Sequence, residues 1–198
     1  MALKKLKIGI TGGIGSGKTT VCKIFETLGI PVYYADDRAK ILMVEDKVLI
    51  KKIKQEFGEA AYFPDGSLNR QLISDIAFHN PLKLKELNAA VHPSVFKDGE
   101  RWHKTQKGVP YTLKEAALLF ESGSNSVLDK IITVFTPKEL RIERVLLRGG
   151  LTRAEIEARI AKQLPDEDKI KQADFVIYND GEKALIPQVL AIHKVLMK

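Results

Sequence analysis

The sequence predicts a three-layer α/β/α fold around a five-stranded parallel sheet, and two observations predict it. Five short apolar runs, at 6–10, 30–34, 109–113, 131–135 and 175–178, alternate with helical patterns. Runs rich in Val, Ile, Tyr and Phe with helices between them read as strands joined by right-handed crossovers, hence as a parallel sheet. The second observation is Gly12-Gly13-Ile14-Gly15-Ser16-Gly17-Lys18-Thr19, which follows the first run and precedes a helical pattern through Val21, Ile24, Phe25 and Leu28. Strand, glycine loop and helix in that order fit the phosphate-loop pattern G-x-x-x-x-G-K-[ST] in its required context.

Each residue type in that loop has a physical task. The glycines let successive backbone N–H groups converge on phosphate oxygens. Lys18 supplies a point charge between the β- and γ-phosphates, and Thr19 supplies a hydroxyl ligand for Mg²⁺. The first strand, the loop and the helix after it therefore predict a nucleoside triphosphate site of the P-loop type.

Between the second and third strands lies a gap too long for one crossover, with mostly helical patterns at 38–57, 70–78 and 81–102. Pro64-Asp65-Gly66 is turn chemistry, Asn69 is a good N-cap, and Pro93 is expected to interrupt the last of these helices. This helical insertion, 37–106, is expected to stand over the sheet edge that carries the loop. The nucleotide-binding core then comprises 1–36, 107–140 and 172–198, with a C-terminal helix over 182–197, all within a single domain.

Composition bounds the chain without identifying it. Its 198 residues are 44% apolar and 29% charged, as expected of an ordinary soluble globular protein. No stretch approaches the roughly 18 apolar residues of a membrane span. Residues 1–7 run directly into the first strand, so a cytoplasmic chain without a signal peptide is expected. Cys22 is the single cysteine, which excludes an internal disulfide and reads as small core filler. The net charge of +7 comes without any interleaved aromatic–basic, helix-turn-helix or zinc pattern. Small polyphosphate ligands are therefore expected rather than nucleic acid or a membrane.

Carboxylates and arginines fall where phosphoryl transfer needs them. Parallel sheets bind ligands at the carboxyl ends of their strands, and Asp36 and Asp37 follow the second strand at that edge. A carboxylate there either orients and deprotonates an attacking hydroxyl or caps a helix beginning at Arg38. Glu115 and Glu121 follow the third strand, and Glu115 reads equally as a Mg²⁺ ligand through water or as a solvated loop acid. Arg141, Arg144 and Arg148 share an arc of roughly 60° on one helix face. Gly149-Gly150 then breaks that helix, and Thr152 caps another carrying Glu155, Arg159 and Lys162. Like charges on one face destabilise a helix, so an anion target is implied, and 141–171 reads as a lid that excludes water.

These residues, taken with several others, resemble the dephospho-coenzyme A kinase family along nearly the whole chain. The resemblance rests on 10–21 around the loop, Ala35-Asp36, Leu68-Asn69-Arg70 and His92-Pro93. It continues through Leu118-Leu119-Phe120-Glu121, Arg144 with Arg148, Arg159-Ile160-Ala161-Lys162-Gln163, Ala173-Asp174 and Asn179-Asp180-Gly181. It implies transfer of the ATP γ-phosphate to the ribose 3′-hydroxyl of dephospho-CoA, the last step of coenzyme A synthesis. Gly13, Ile14, Gly15, Ser16, Gly17, Lys18, Thr19 and Thr20 would hold ATP. Asp36 would orient or deprotonate the hydroxyl while Asp37 caps, and Arg70 and His92 would face the acceptor. Arg144 and Arg148 would offset γ-phosphate charge, and Asn179 and Gly181 would approach the ATP base.

The chain departs from the family pattern at Ala117, where many members have proline, and at Asn69, where an acid is common. A regulatory GTPase is excluded because neither D-x-x-G nor N-K-x-D occurs. A nucleoside or nucleotide kinase and a nucleic-acid-stimulated ATPase are the alternatives, and Ala35-Asp36 with His92-Pro93 argues against the former.

Overall fold

The computed structural model describes residues 4–198, in two compact units. One unit comprises the chain up to Tyr34 together with His103–Lys198, and the other is Ala35–Trp102.

The first unit is built on five parallel strands, β1 (Leu6–Thr11), β2 (Val32–Tyr34), β3 (Tyr111–Glu115), β4 (Lys130–Phe135) and β5 (Phe175–Tyr178). Their order is β2-β3-β1-β4-β5, so β1 is central. On one side of it lie β2 and β3 and, after the chain crosses over beyond β3, β4 and β5 lie on the other. Helix α1 (Lys18–Thr27) follows β1. Beyond β4 come α6 (Lys138–Arg148), α7 (Arg153–Ala161) and α8 (Asp166–Gln172), and α9 (Leu185–Leu196) follows β5. This is the three-layer arrangement expected from the alternating pattern.

Strand periodicity decides what each face meets. Ile8 and Ile10 point to one side, where Val21, Cys22 and Phe25 of α1 and Val189 and Ile192 of α9 complete a core with Leu113, Ile132 and Ile177. Gly9 points the other way, so close to Leu119 and Leu128 that a side chain there would overlap them. Thr11 and Thr133, paired in register, are buried, and the Thr133 hydroxyl meets the Lys169 carbonyl of α8. Cys22 is fully buried, as its reading as core filler requires.

The second unit holds α2 (Ala35–Glu45), α3 (Lys47–Phe57), α4 (Arg70–His79) and most of α5 (Pro81–Thr105). Leu42, Leu49, Ile53, Phe57, Ile73, Val91 and Val95 are among its buried apolar residues. Arg38 makes a two-pronged ion pair with buried Asp98, at 2.9 and 3.1 Å.

Several boundaries differ from expectation, each for a local reason. The helix expected over 38–57 is two helices. It starts at Ala35, and Asp46 breaks it by accepting hydrogen bonds from the N–H groups of Val48 and Leu49. Asp37 therefore caps nothing, and its carboxylate pairs with Lys40 at 2.7 Å. Pro93 does not interrupt α5, because burial of Ala90, Val91 and Val95 around it outweighs one missing backbone bond. β3 begins after Pro110, two residues later than predicted, so Glu115 ends the strand instead of following it. The short helix α8 was not anticipated. Among the described residues no helix is long and apolar enough to cross a membrane.

Candidate active site

The phosphate loop joins β1 to α1 at the carboxyl edge of the sheet. Gly17 adopts a left-handed conformation (φ 86°, ψ 21°), and α1 starts after it with no side-chain cap. Its first N–H groups are thus left for an anion, where the helix dipole also favours negative charge. Lys18 arches back over the loop, its Nζ donating to the carbonyls of Gly12 (3.0 Å) and Gly13 (3.3 Å). Thr19 and Thr20 are exposed in the first turn of α1, while the Ser16 hydroxyl is buried without a hydrogen-bond partner among the described residues.

Three segments hold the loop from outside. Gln163 Oε1 accepts the Ile14 N–H (3.1 Å), the Asn179 amide donates to the Ser16 carbonyl (2.8 Å), and the Thr136 hydroxyl donates to the same carbonyl (3.0 Å). Thr136 and Asn179 stand just beyond β4 and β5, so strand ends position both. Ile14 also packs against Ile142, Val145 and Ile156, which joins the loop tip to the α6–α7 hairpin.

The three arginines expected to share one target diverge. Arg141 is buried, ion-paired to Asp166 at 2.6 Å, and lies against Gly13. It belongs to the frame of the loop, which corrects the expectation of one anion target shared by all three. Arg144 donates to the Asn179 carbonyl at 3.1 Å and approaches its side-chain oxygen at 3.5 Å. Arg148 ends α6, exposed and without a hydrogen bond or ion pair among the described residues. Gly149 and Gly150 follow with positive φ (74° and 84°), and the next helix opens with a full capping box between Thr152 and Glu155.

Carboxylates and acceptor candidates are placed as follows. Glu115 is only 7% exposed, opposite Ile10 of β1 and Tyr34 of β2 in the sheet register, and so is not a solvated loop acid. Burial pushes the Cys22 thiol well above its usual range and the Glu115 charge adds to the effect, so that charge reaches α1. Asp36 follows the last residue of β2 by two positions. It is exposed, in the first turn of α2, and no hydrogen bond engages it among the described residues. Arg70 opens α4 behind its Asn69 cap, and His92 is an exposed residue of α5. All three belong to the second unit. Gly181 follows Asn179 beyond β5, in a left-handed turn whose Asp180 side chain accepts from the N–H groups of Glu182 and Lys183.

Sequence reasoning missed the underside of the loop: Asp166, Lys169 and the buried role of Arg141. Pro165 followed by three acids does signal a helix start. A lysine in so charged a run reads as solvent-facing, and only the packing of α8 on β4 buries it.

A family model described as dephospho-CoA kinase matches residues 6–184. A Bacteroides fragilis protein named dephospho-CoA kinase is 39% identical over 187 residues, covering 94% of this chain and 91% of the relative. A solved structure from Thermus thermophilus is 34% identical with a TM-score of 0.86, covering 98% of each chain. A solved Campylobacter jejuni dephospho-CoA kinase is 28% identical with a TM-score of 0.72 over 98% of each chain.

Proposed function

This chain belongs to the dephospho-CoA kinase family, and from that premise we propose that it transfers the γ-phosphoryl group of ATP to the ribose 3′-hydroxyl of dephospho-CoA. The observation that carries the proposal is Asp36. It is an exposed carboxylate with no hydrogen bond or ion pair among the described residues, two residues beyond a strand whose carboxyl end shares the edge of the phosphate loop.

ATP places its phosphates on the loop N–H groups of 13–20, and Lys18 trades its loop carbonyls for β- and γ-phosphate oxygens. Asp36 orients the acceptor hydroxyl and takes its proton as the 3′ oxygen bonds to the γ-phosphorus. The bond from that phosphorus to the β–γ bridging oxygen breaks, and its electron pair leaves with ADP. Arg148 reaches the transferring group and offsets its charge. Arg144 supports Asn179, which with Gly181 borders the base. Arg70 and His92 bind the acceptor. Residues 141–171 act as the lid, hinged at Gly149-Gly150, and spare ATP from hydrolysis by excluding water.

Mg²⁺ fits the residues present. It favours one or two carboxylates beside phosphate oxygens and water, and the Thr19 hydroxyl and the strand-end carboxylate of Glu115 offer such a set. When bound, the ion neutralises phosphate charge. Thr19 and Glu115 would hold it.

The test is a coupled ADP-release assay with ATP and Mg²⁺ across dephospho-CoA, nucleosides, nucleoside monophosphates and single-stranded DNA. Turnover is expected with dephospho-CoA, with coenzyme A as the product by mass. Activity confined to nucleosides, nucleotides or DNA overturns the proposal.

A further inference from the structure

Arg38 and Asp98 join α2 to α5 within the second unit by a two-pronged pair. Arg38 Nε donates to one carboxylate oxygen of Asp98 at 2.9 Å, and Nη2 donates to the other at 3.1 Å. Arg101, three residues further along α5, donates to the same carboxylate at 2.8 Å. Asp98 is buried, so removing it from water is costly, and an apolar pair of similar volume often holds two helices at least as well. An apolar contact does not fix direction. A bidentate guanidinium–carboxylate pair sets orientation as well as distance.

Direction matters because of what shares the turn. Asp36, the proton acceptor proposed above, precedes Arg38 by two residues in the first turn of α2. The fork on Arg38 therefore sets where that turn points. The far end of α2 is held as well, by the Tyr62 hydroxyl donating to the Met43 carbonyl at 2.7 Å. α5 runs unbroken through Pro93 and carries His92 about 9 Å along its axis from Asp98, six residues at roughly 1.5 Å each.

The pairing also decides which carboxylate is left over. Two cations follow Asp36 on α2, and each is taken by another acid: Lys40 by Asp37 at 2.7 Å, and Arg38 by Asp98. Asp36 stays exposed, with no hydrogen bond or ion pair among the described residues.

We propose that Arg38 and Asp98 are positioning residues for phosphoryl transfer, a buried pair that orients the first turn of α2 so that the Asp36 carboxylate meets the acceptor hydroxyl, and that ties this turn to the helix of His92. Neither residue is catalytic, since both act through Asp36. This rests on the kinase activity proposed above.

A double-mutant cycle in kcat tests it, with the wild type, Arg38→Met, Asp36→Asn and the double variant, and with Arg38→Lys alongside. Arg38→Met should fold with a lowered melting temperature, because Arg101 still pairs with Asp98. Its kcat on dephospho-CoA should fall about tenfold to a hundredfold, the scale of a misplaced reacting group. The KM for ATP should stay within about twofold, since the phosphate loop belongs to the first unit. In the Asp36→Asn background the same substitution should lower kcat by no more than about twofold, because the group it positions is already gone. Arg38→Lys keeps the charge and loses the fork, so it should recover melting temperature more fully than kcat.

Equal losses of kcat in the two backgrounds overturn the proposal, as does wild-type kcat in Arg38→Met or a loss confined to melting temperature. If Arg38→Met does not fold, Arg38→Lys takes its place in the cycle under the same criteria. Wild-type kcat in Asp36→Asn removes the group being positioned and overturns the proposal as well. A wild type inactive on dephospho-CoA fails the kinase reading instead, and the cycle then runs on the acceptor it does phosphorylate. A wild type that phosphorylates none of the acceptors ends both readings.

Discussion

Arg141 lies so close to Gly13 that a Cβ on that glycine would stand 1.8 Å from a guanidinium nitrogen. The same guanidinium is paired to Asp166 at 2.6 Å with 4% of its side chain exposed, so it has little room to retreat. The phosphate loop is thus shaped from two sides, by its own glycines and by a buried cation that only a bare backbone admits.

A double-mutant cycle checks this relationship. Gly13→Ala should destabilise the protein by about 1–3 kcal/mol, the usual cost of overpacking. In an Arg141→Ala background the added cost should nearly vanish, because the clash is with that side chain. Gly12→Ala should show no such rescue, since its Cβ would meet the Val134 carbonyl at 2.4 Å. Denaturant titration of the six proteins, wild type, three single variants and two double variants, measures all these terms, and additive costs for Gly13 and Arg141 would contradict the arrangement.

Arg148 should behave oppositely to Arg141. It is exposed and unpaired among the described residues, so Arg148→Ala should move stability by no more than about 0.5 kcal/mol. Turnover should fall by on the order of tenfold or more, because arginine contacts to a transferring phosphoryl group are worth much in kcat. A variant with an unchanged rate returns Arg148 to the role of a solvated side chain.

Local chemistry was legible in the sequence, and tertiary burial was not. The loop, the Asn69 cap and the Thr152–Glu155 box depend on neighbours within a few residues, and all form as their patterns predict. Asp46 carried the same kind of signal inside a helical pattern that otherwise continued. Arg141, Arg144 and Arg148 share a helix face, yet what each meets is decided by Gly13, Asn179 and solvent, residues brought there by other strands. Pro93 and Lys169 break local rules, and packing from elsewhere in the chain overrides those rules.

Alkaline pH should unfold the protein partly through Tyr62. Burial raises its phenol to about 12, and its hydroxyl donates to the Met43 carbonyl at 2.7 Å. In the unfolded chain the phenol titrates near 10, so the unfolded state releases its proton first. The stability that Tyr62 contributes is complete below about pH 10 and is lost as pH rises toward about 12. Tyr34 and Tyr111 are raised also, chiefly by burial, and act in the same direction. Tyr62→Phe should cost about 0.5–1.5 kcal/mol at neutral pH and release one fewer proton on alkaline unfolding. An alkaline transition identical to the wild type would remove Tyr62 from this account.

Lys18 and Asp36 should separate binding from chemistry. Lys18 lies on the loop carbonyls where phosphate oxygens would be met, so Lys18→Ala should raise the KM for ATP and lower kcat together. Asp36 makes no hydrogen bond among the described residues, and its carboxylate is exposed in the first turn of α2. Asp36→Asn keeps the shape and removes the proton acceptor, so ATP binding by calorimetry should stay near the wild-type value. The rate on dephospho-CoA should fall by about 10²–10⁴-fold, the worth of a positioned general base. Near wild-type turnover in Asp36→Asn would leave the acceptor hydroxyl to be handled by another group. Weakened ATP binding in that variant would instead move Asp36 from the acceptor side of the reaction to the nucleotide side.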